Sequence, residues 1–586
     1  MKIPLQQTWQ KKAEAKVAET KSKIPDEWTL QKHDLEAAKR QRQLSGPFIE
    51  RFLNDGELEI TGNDSVPLLS KIKSGQYTAL QVTTAFCKRA AIAHQINNCL
   101  HEIMFDQAIE RAKELDGYFG EHKSILGPLH GLPISLKDQF HVKGVDTTMG
   151  YIGWIDTYEG HTDPSKTSLP QTLLLGETVN NLIGRTLNPV NQLLSCGGSS
   201  GGAVVLSLIH SQVSNGRIPG EGALNALRGS TLGVGTDIGG SVRIPAAFCG
   251  IYSVKPTHNR FSYRGAANTN PGQNTYASSV GFLSNSIDAL QLVMKSVLST
   301  QPWLRDPEVV PIPWRQTLVD STLSRASADG SSNYNTPLKL GIYWTNGVVG
   351  PHPPINRGLR AVVDTLRKAG HKMVDWNPPS QSTAKRLAFL KADGAHDIHA
   401  QLNLSGEPLI PELVKSFQLK DPMDLLQYQD LTLEGRDYSA AYSDYWNATA
   451  DDKACQYQYP PALYELLLTR FELQDQIVDA VIMPVAPHAA VIPGKYYHTA
   501  YTEAINLMDY SAAVIPVTKA DKNVDTFNSD YKPLNEIDRK NWEAYDPDVY
   551  DGAPIGVQLV ARKYEEEKVW AIAKIVSAAL ETAGVV

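Results

Sequence analysis

Cysteine is scarce in this chain. Its 586 residues hold five, Cys87, Cys99, Cys196, Cys249 and Cys455, an odd number with no Cys-x-x-Cys pair. That argues against a disulfide framework and a thiolate zinc site, and it fits a reducing compartment, so a cytoplasmic location is expected. Long apolar runs are missing too: no window approaches the ~18 uninterrupted apolar residues of a membrane span. Met1–Lys23 carries charges every few residues where a secretory leader would have an apolar centre. Neither an integral membrane segment nor a leader is expected. Charge of one sign is also lacking: a formal net charge of −7 gives no electrostatic basis for nucleic acid or an anionic membrane as partner. No internal repeat is visible. What is present is 42% hydrophobic and 20% charged, the composition of a soluble globular protein long enough for one large domain or several ordinary ones.

The order of periodicities predicts an α/β fold. Residues 1 to about 60 are rich in Lys, Glu, Gln and Ala and are broken by Pro25 and Pro47, which reads as charged helices lying on a larger body. Helical periodicity continues from Leu68 to Phe119, and Leu129–Leu136 turns to a short apolar run, a strand that ends at Lys137. Residues 195–257 are the glycine-dense centre. A Pro- and Ser-rich stretch over 305–337 reads as a surface excursion. Leu338–Trp344, Ile355–Lys368 and Lys372–Trp376 then read as a strand–helix–strand unit with parallel strands. More helix follows to about 475, before strands at Asp479–Val485 and Gly556–Val560 and a closing helix at Glu565–Thr582.

Three segments carry chemistry. Two are glycine–serine loops, Cys196-Gly197-Gly198-Ser199-Ser200-Gly201-Gly202 and Gly233-Val234-Gly235-Thr236-Asp237-Ile238-Gly239-Gly240-Ser241. Glycine gathers where backbone adopts positive φ or approaches a ligand, and converging N–H groups can hold an oxyanion. A phosphate loop is the poorer reading, because neither segment ends in Gly-Lys-Ser/Thr. The pattern Gly197-Gly198-Ser199-Ser200-Gly201 also satisfies the nucleophile elbow G-x-S-x-G, which needs a downstream histidine; His258, His352, His371, His396, His399, His488 and His498 are available, none in a distinctive context. The third segment is His130-Gly131-Leu132-Pro133-Ile134-Ser135-Leu136-Lys137-Asp138. A lysine directly after an apolar strand, if buried, loses its preference for the ammonium form and can serve as a base to serine. Each segment alone also reads as an ordinary loop or a lysine with its head in water.

Together and in this order, the three segments resemble the amidase signature family. Arg243-Ile244-Pro245-Ala246-Ala247-Phe248-Cys249-Gly250 and Lys255-Pro256-Thr257 continue the signature. Trp9, Ile24-Pro25-Asp26-Glu27-Trp28, Met149-Gly150-Tyr151-Ile152-Gly153-Trp154, Pro311-Ile312-Pro313-Trp314-Arg315 and Pro554-Ile555-Gly556-Val557-Gln558-Leu559 look like its fungal acetamidase-type branch. The resemblance implies a single large amidase-signature fold, a mixed β-sheet core flanked by helices. It divides the chain into an N-terminal helical arm (1–65) and an amidase domain (66–586) with its signature core at about 125–260. It implies Ser241 as nucleophile, Ser199 as the bridging cis-serine and Lys137 as base. It implies oxyanion donors at Ile238, Gly239, Gly240 and Ser241, Leu173 in the acyl pocket, and Asp237, Arg243 and Ser200 as structural support. No metal or organic cofactor is implied, and the partner is a small-molecule amide; a homodimer stays open.

Two stretches depart from the family pattern. A segment near 203–220, AVVLSLIHSQVSNGRIPG, is surplus between Ser199 and Ser241. Near 160–166 a helix and a buried strand are missing, since Gly160-His161-Thr162-Asp163-Pro164-Ser165 runs directly into Lys166-Thr167. Misplaced exon boundaries account for both; a decayed, inactive amidase is the alternative. The readings of function are hydrolysis of a small aliphatic or aromatic, acetamide-like amide to carboxylate and ammonia, hydrolysis of fatty-acid amides, the glutaminase subunit of a transamidating complex, and a non-catalytic scaffold.

Overall fold

The computed structural model describes residues 6–140, 146–157, 169–200, 205–207, 222–273, 275–326, 337–381, 386–450 and 477–585. Its strands are β1 (Pro133–Leu136), β2 (Val179–Asn180), β3 (Gly184–Arg185), β4 (Val205–Ser207), β5 (Leu232–Asp237), β6 (Tyr252–Lys255), β7 (Ser279–Ser284), β8 (Lys339–Ile342), β9 (Lys372–Asp375), β10 (Ala480–Pro484), β11 (Ser511–Lys519) and β12 (Pro554–Ala561). Ten of them form one sheet in the order β4-β1-β5-β7-β6-β11-β12-β10-β8-β9, and β2 and β3 form a separate ribbon. The sheet is mixed, with β1–β5, β10–β8 and β8–β9 parallel and the other pairs antiparallel. Strands from distant parts of the chain therefore share one sheet. β5, β7, β10 and β12 are buried at every position. A strand covered on both faces reads as continuous apolar and small residues, not as alternation. The edge strand β9 ends in Lys372 and Asp375, both exposed, which blunts the free edge.

The predicted strand–helix–strand unit is present. β8 leads through a helix over Pro353–Lys368 to β9, with Lys339 opposite Lys372 and Ile342 opposite Asp375. Pro353 and Pro354 open that helix, where a missing N–H costs nothing. Its buried stripe is Ile355, Leu359, Val362, Val363 and Leu366, spaced for one helical face. Part of the expected surface excursion at 305–337 is instead a helix, Gln316–Leu323, packed on the C-terminal helix Glu566–Thr582. Val319 and Leu323 lie four residues apart and turn one apolar face to the core. Residues 327–336 of that stretch lie outside the described residues.

The N-terminal helices lie on the body. Ile24, Trp28, Leu44, Phe48 and Ile49 belong to the same buried apolar cluster as the sheet. In the first helix, Gln6–Ser22, the side chain of Lys16 is buried against Glu102 Oε1 at 2.6 Å and Asp146 Oδ2 at 3.0 Å. Burial alone would lower the Lys16 pKa; the two carboxylates override it and hold it well above the usual lysine value. The stretch expected to carry a deletion, near 160–166, lies outside the described residues. So does the expected insertion near 203–220 except for β4, which pairs antiparallel with β1 as Ile134↔Leu206. β1 thus has ladder partners on both sides.

Three deeply buried histidines tie the fold's stability to pH. Burial, the largest influence on each, pushes His94 and His352 down to about 4 and His488 well below the usual value. Neither ring nitrogen of His488 has a hydrogen-bond partner among the described residues. Above pH ~6.5 these rings are neutral in both states and cost nothing. As pH falls from about 6.5 toward about 4, the unfolded chain takes up protons that the folded chain refuses, so stability drops by about 1.4 kcal/mol per ring per pH unit. Urea unfolding at pH 5 against pH 7 reads this loss. His488→Phe should lessen the drop by about 2 kcal/mol; an identical drop in wild type and variant would refute the assignment.

Candidate active site

The parallel register of β1 on β5 sets the site. Leu136 lies opposite Val234, so Lys137, the first residue past β1, comes beside Gly235 and Thr236 near the C-terminal end of β5. Binding groups in α/β sheets gather at that edge. Lys137 is completely buried. Its Nζ lies 2.7 Å from Ser199 Oγ, 2.7 Å from Thr236 Oγ1 and 3.4 Å from the Thr236 carbonyl oxygen.

Ser199 arrives on a loop clamped at its base. Thr178 Oγ1 donates to the carbonyls of Gly197 at 2.7 Å and Gly198 at 2.9 Å. Gly197 has φ +96° and sits where a Cβ would come within 2.7 Å of Pro245 Cα, so no other residue fits there. Ser200 Oγ is buried without a hydrogen-bond partner among the described residues, and a Cβ on Gly235 would stand 2.3 Å from it. Ser200 therefore packs directly against a bare glycine.

Ser241 follows β5 and precedes the helix Arg243–Cys249. It lies beside the serine loop, since a Cβ on Gly198 would stand 3.8 Å from Ser241 Oγ. Lys137 and Ser199 are joined by a hydrogen bond; among the described residues none joins Ser199 to Ser241. Between β5 and Ser241 the backbone is wound around Asp237, whose carboxylate accepts from Gly240 N–H at 2.8 Å, Val242 N–H at 3.1 Å and Arg243 N–H at 3.3 Å. The Arg243 guanidinium donates to both carboxylate oxygens, at 2.9 and 3.0 Å, and both side chains are fully buried. Burial alone would raise the Asp237 pKa; Arg243 overrides it and holds the carboxyl well below the usual range. Thr502 Oγ1 donates to the Gly239 carbonyl at 2.7 Å, and Asn506 Nδ2 to Asp237 Oδ1 at 2.9 Å. These contacts hold the loop, and they also occupy the Gly240 N–H. It already serves Asp237, because a buried carboxylate draws the nearest amide, which leaves Ile238, Gly239 and Ser241, among the described residues, as the donors to weigh.

Two cavities meet here. A larger one, of about 170 Å³, is lined by Leu173, Gly198, Gly239, Ser241, Leu413 and Phe417 among others. A smaller one, about 20 Å³, is lined by Lys137, Gln139, Ser199, Thr236, Ile238 and Tyr263 among others. Leu173 walls both, at φ +68° directly after Thr172 at +74°. Consecutive non-glycine residues in the left-handed region are strained, and such strain gathers at functional sites. Of the downstream histidines, His498 borders the larger cavity, and its Nε2 already meets Asn346 Nδ2 at 2.8 Å. Thr236, Gln139, Tyr263, Thr502 and Asn506 were not singled out from the sequence. Thr236 lies within the second glycine–serine segment and Gln139 directly follows the lysine segment; the others are brought in by tertiary folding alone. Among the described residues no group of three or more His, Cys, Asp or Glu could hold a metal ion, and no helix is long and apolar enough to cross a membrane.

Compared with known families, residues 81–570 match the model of the Amidase family. The chain belongs to the amidase family. It is 40% identical to an acetamidase of Emericella nidulans, over 97% of either chain, and 39% identical to an acetamidase of Aspergillus oryzae, over 97% of this chain and 98% of that one. Among solved structures, a fatty acid amide hydrolase superposes with a TM-score of 0.83 at 29% identity, covering 98% of this chain and 96% of the other. This amidase is thus a hydrolase acting on amide C–N bonds, built on the α/β sheet of its relatives.

Proposed function

We propose that this amidase cleaves a small carboxylic amide to carboxylate and ammonia through a Lys137–Ser199–Ser241 relay. The observation that carries the reading is the 2.7 Å contact of a fully buried Lys137 Nζ with Ser199 Oγ. A buried amine without its proton is a base, and Ser199 passes its demand on to Ser241. As Lys137 takes the Ser199 proton, Ser199 takes that of Ser241, and Ser241 Oγ attacks the carbonyl carbon. The N–H groups of Ile238, Gly239 and Ser241 hold the oxyanion. The proton then returns by way of Ser199 to the nitrogen, which leaves as ammonia, since an amide anion is too poor a leaving group. Water attacks the acyl-serine by the reverse route and frees the carboxylate. The absent Ser199–Ser241 hydrogen bond is no obstacle, because such contacts tighten on substrate binding.

A cavity of about 170 Å³ at Ser241 supports a short acyl group, being smaller than the ~300–1,000 Å³ of pockets for drug-sized ligands. The acetamidase relatives support the same size class. The fatty acid amide hydrolase neighbour favours a second reading, with a long acyl chain. Ammonia release from acetamide, benzamide and oleamide, beside a Ser241→Ala control, separates the two. Oleamide as the best substrate would sink the small-amide reading, and equal background from both proteins would leave a non-catalytic scaffold. Leu173 walls the site, so Leu173→Ala should lower kcat/KM for acetamide about tenfold and raise that for benzamide, the scale of a changed apolar contact. Unchanged ratios would remove Leu173 from the acyl pocket.

A further inference from the structure

Behind the lysine stands a second hydrogen-bonded chain that the relay itself does not use. Thr236 Oγ1 donates to Gln139 Oε1 at 2.6 Å, and Gln139 Nε2 donates to the Tyr263 hydroxyl at 2.5 Å. Thr236 and Gln139 are buried, and both border the small cavity with Lys137 and Ser199. A hydroxyl has one hydrogen. With its hydrogen committed to Gln139, the Thr236 hydroxyl meets Lys137 Nζ, 2.7 Å away, only as an acceptor. The Thr236 carbonyl, 3.4 Å from the same nitrogen, is an acceptor by nature. An uncharged amine has two hydrogens and one lone pair. Two acceptors on the Thr236 side draw its hydrogens there, and its lone pair is turned toward Ser199 Oγ, from which it must take a proton.

We propose that Gln139 and Thr236 are positioning residues: by locking the Thr236 hydroxyl as an acceptor, Gln139 aims the lone pair of Lys137 at Ser199. Freed from Gln139, that hydroxyl could rotate, donate to the amine and compete with Ser199 for the lone pair. The inference rests on the lysine-base reading above and concerns the orientation of the base, not its identity.

Kinetics of acetamide hydrolysis against pH, on full-length variants with matched melting temperatures, test it. Thr236→Val keeps the shape and loses the oxygen; it should lower kcat about a hundredfold, the scale of a misplaced reacting group, with KM within about twofold. Its acid limb of kcat/KM should move to lower pH, because the ammonium form has lost an acceptor. Thr236→Ser should recover most of the lost kcat. Gln139→Leu should lower kcat about tenfold. Gln139→Glu keeps the acceptor for Thr236 but adds a negative charge, so it should move the acid limb to higher pH. Opposite displacements of one limb are what a merely structural role would not give. Wild-type kcat and an unmoved limb in Thr236→Val, equal losses in Thr236→Ser and Thr236→Val, or a Gln139→Glu limb that stays in place would each overturn the proposal. If Thr236→Val is too unstable to assay, the direction of the Gln139→Glu limb decides alone. Full activity in Lys137→Ala would instead refute the lysine base, a separate failure.

Discussion

Ser241→Ala should lower kcat for acetamide by about four to six orders of magnitude, and Lys137→Ala by nearly as much, with KM little changed. Both act on steps found only in the transition state: one removes the attacking oxygen, the other the acceptor of its proton. The relay is serial, so losses should not add. A Ser241→Ala/Lys137→Ala double variant should be no slower than Ser241→Ala alone, the mark of groups that act as a unit. Lys137→Ala also leaves room where a buried side chain stood, so folding is checked by melting before the rates are compared. Ammonia release within tenfold of wild type in Lys137→Ala would mean that some other group accepts the proton, and His498, on the wall of the same cavity as Ser241, would be the next to test.

The second large effect is on stability. Arg243→Met strands Asp237 as a buried carboxylate without its counter-ion, which costs about 3–5 kcal/mol. The cost is this high because both groups are fully shielded from solvent. Arg243 also donates to the Thr502 carbonyl at 3.0 Å and to Asn506 Oδ1 at 2.5 Å, so its loss leaves acceptors unmet on a third element. The shift in guanidinium midpoint gives the number. Adding Asp237→Asn to Arg243→Met should recover part of it, because the stranded charge is then gone, and the two changes should couple by about 0.5–3 kcal/mol. Strict additivity would show that the pair is not a unit. Because Asp237 also winds the Gly239–Ser241 backbone, kcat should fall about a hundredfold in the surviving protein, the scale of one lost oxyanion donor.

How much of this was legible in the sequence depends on the range of the interaction. Strands covered on both faces, such as β10 and β12, show as apolar runs, and the helix between β8 and β9 shows as a stripe with prolines at its start. Lys137 was legible because an apolar strand ends on it, and the two serines because glycine surrounds them. What stayed hidden needed contacts across the chain. Asn506 and Thr502 reach the Asp237 loop from a helix more than 250 residues on, at spacings no local pattern encodes. The use of the Gly240 N–H was hidden as well, since which donor of a loop faces the substrate is decided by where the carboxylate beneath it sits. The helix at Gln316–Leu323 was obscured by Pro- and Ser-rich neighbours, whose turn chemistry outweighed a single apolar face.

The Lys16 tether reaches further than its place at the periphery suggests. Asp146, one of its carboxylate partners, also accepts from the Asp156 amide at 2.9 Å. The same stretch supplies the Thr148 and Met149 amides that cradle Asp138, the immediate neighbour of Lys137. The opening helix is therefore a clasp on the floor beneath the base. A tag or fusion that pried that clasp loose would blunt turnover while leaving every reacting side chain untouched.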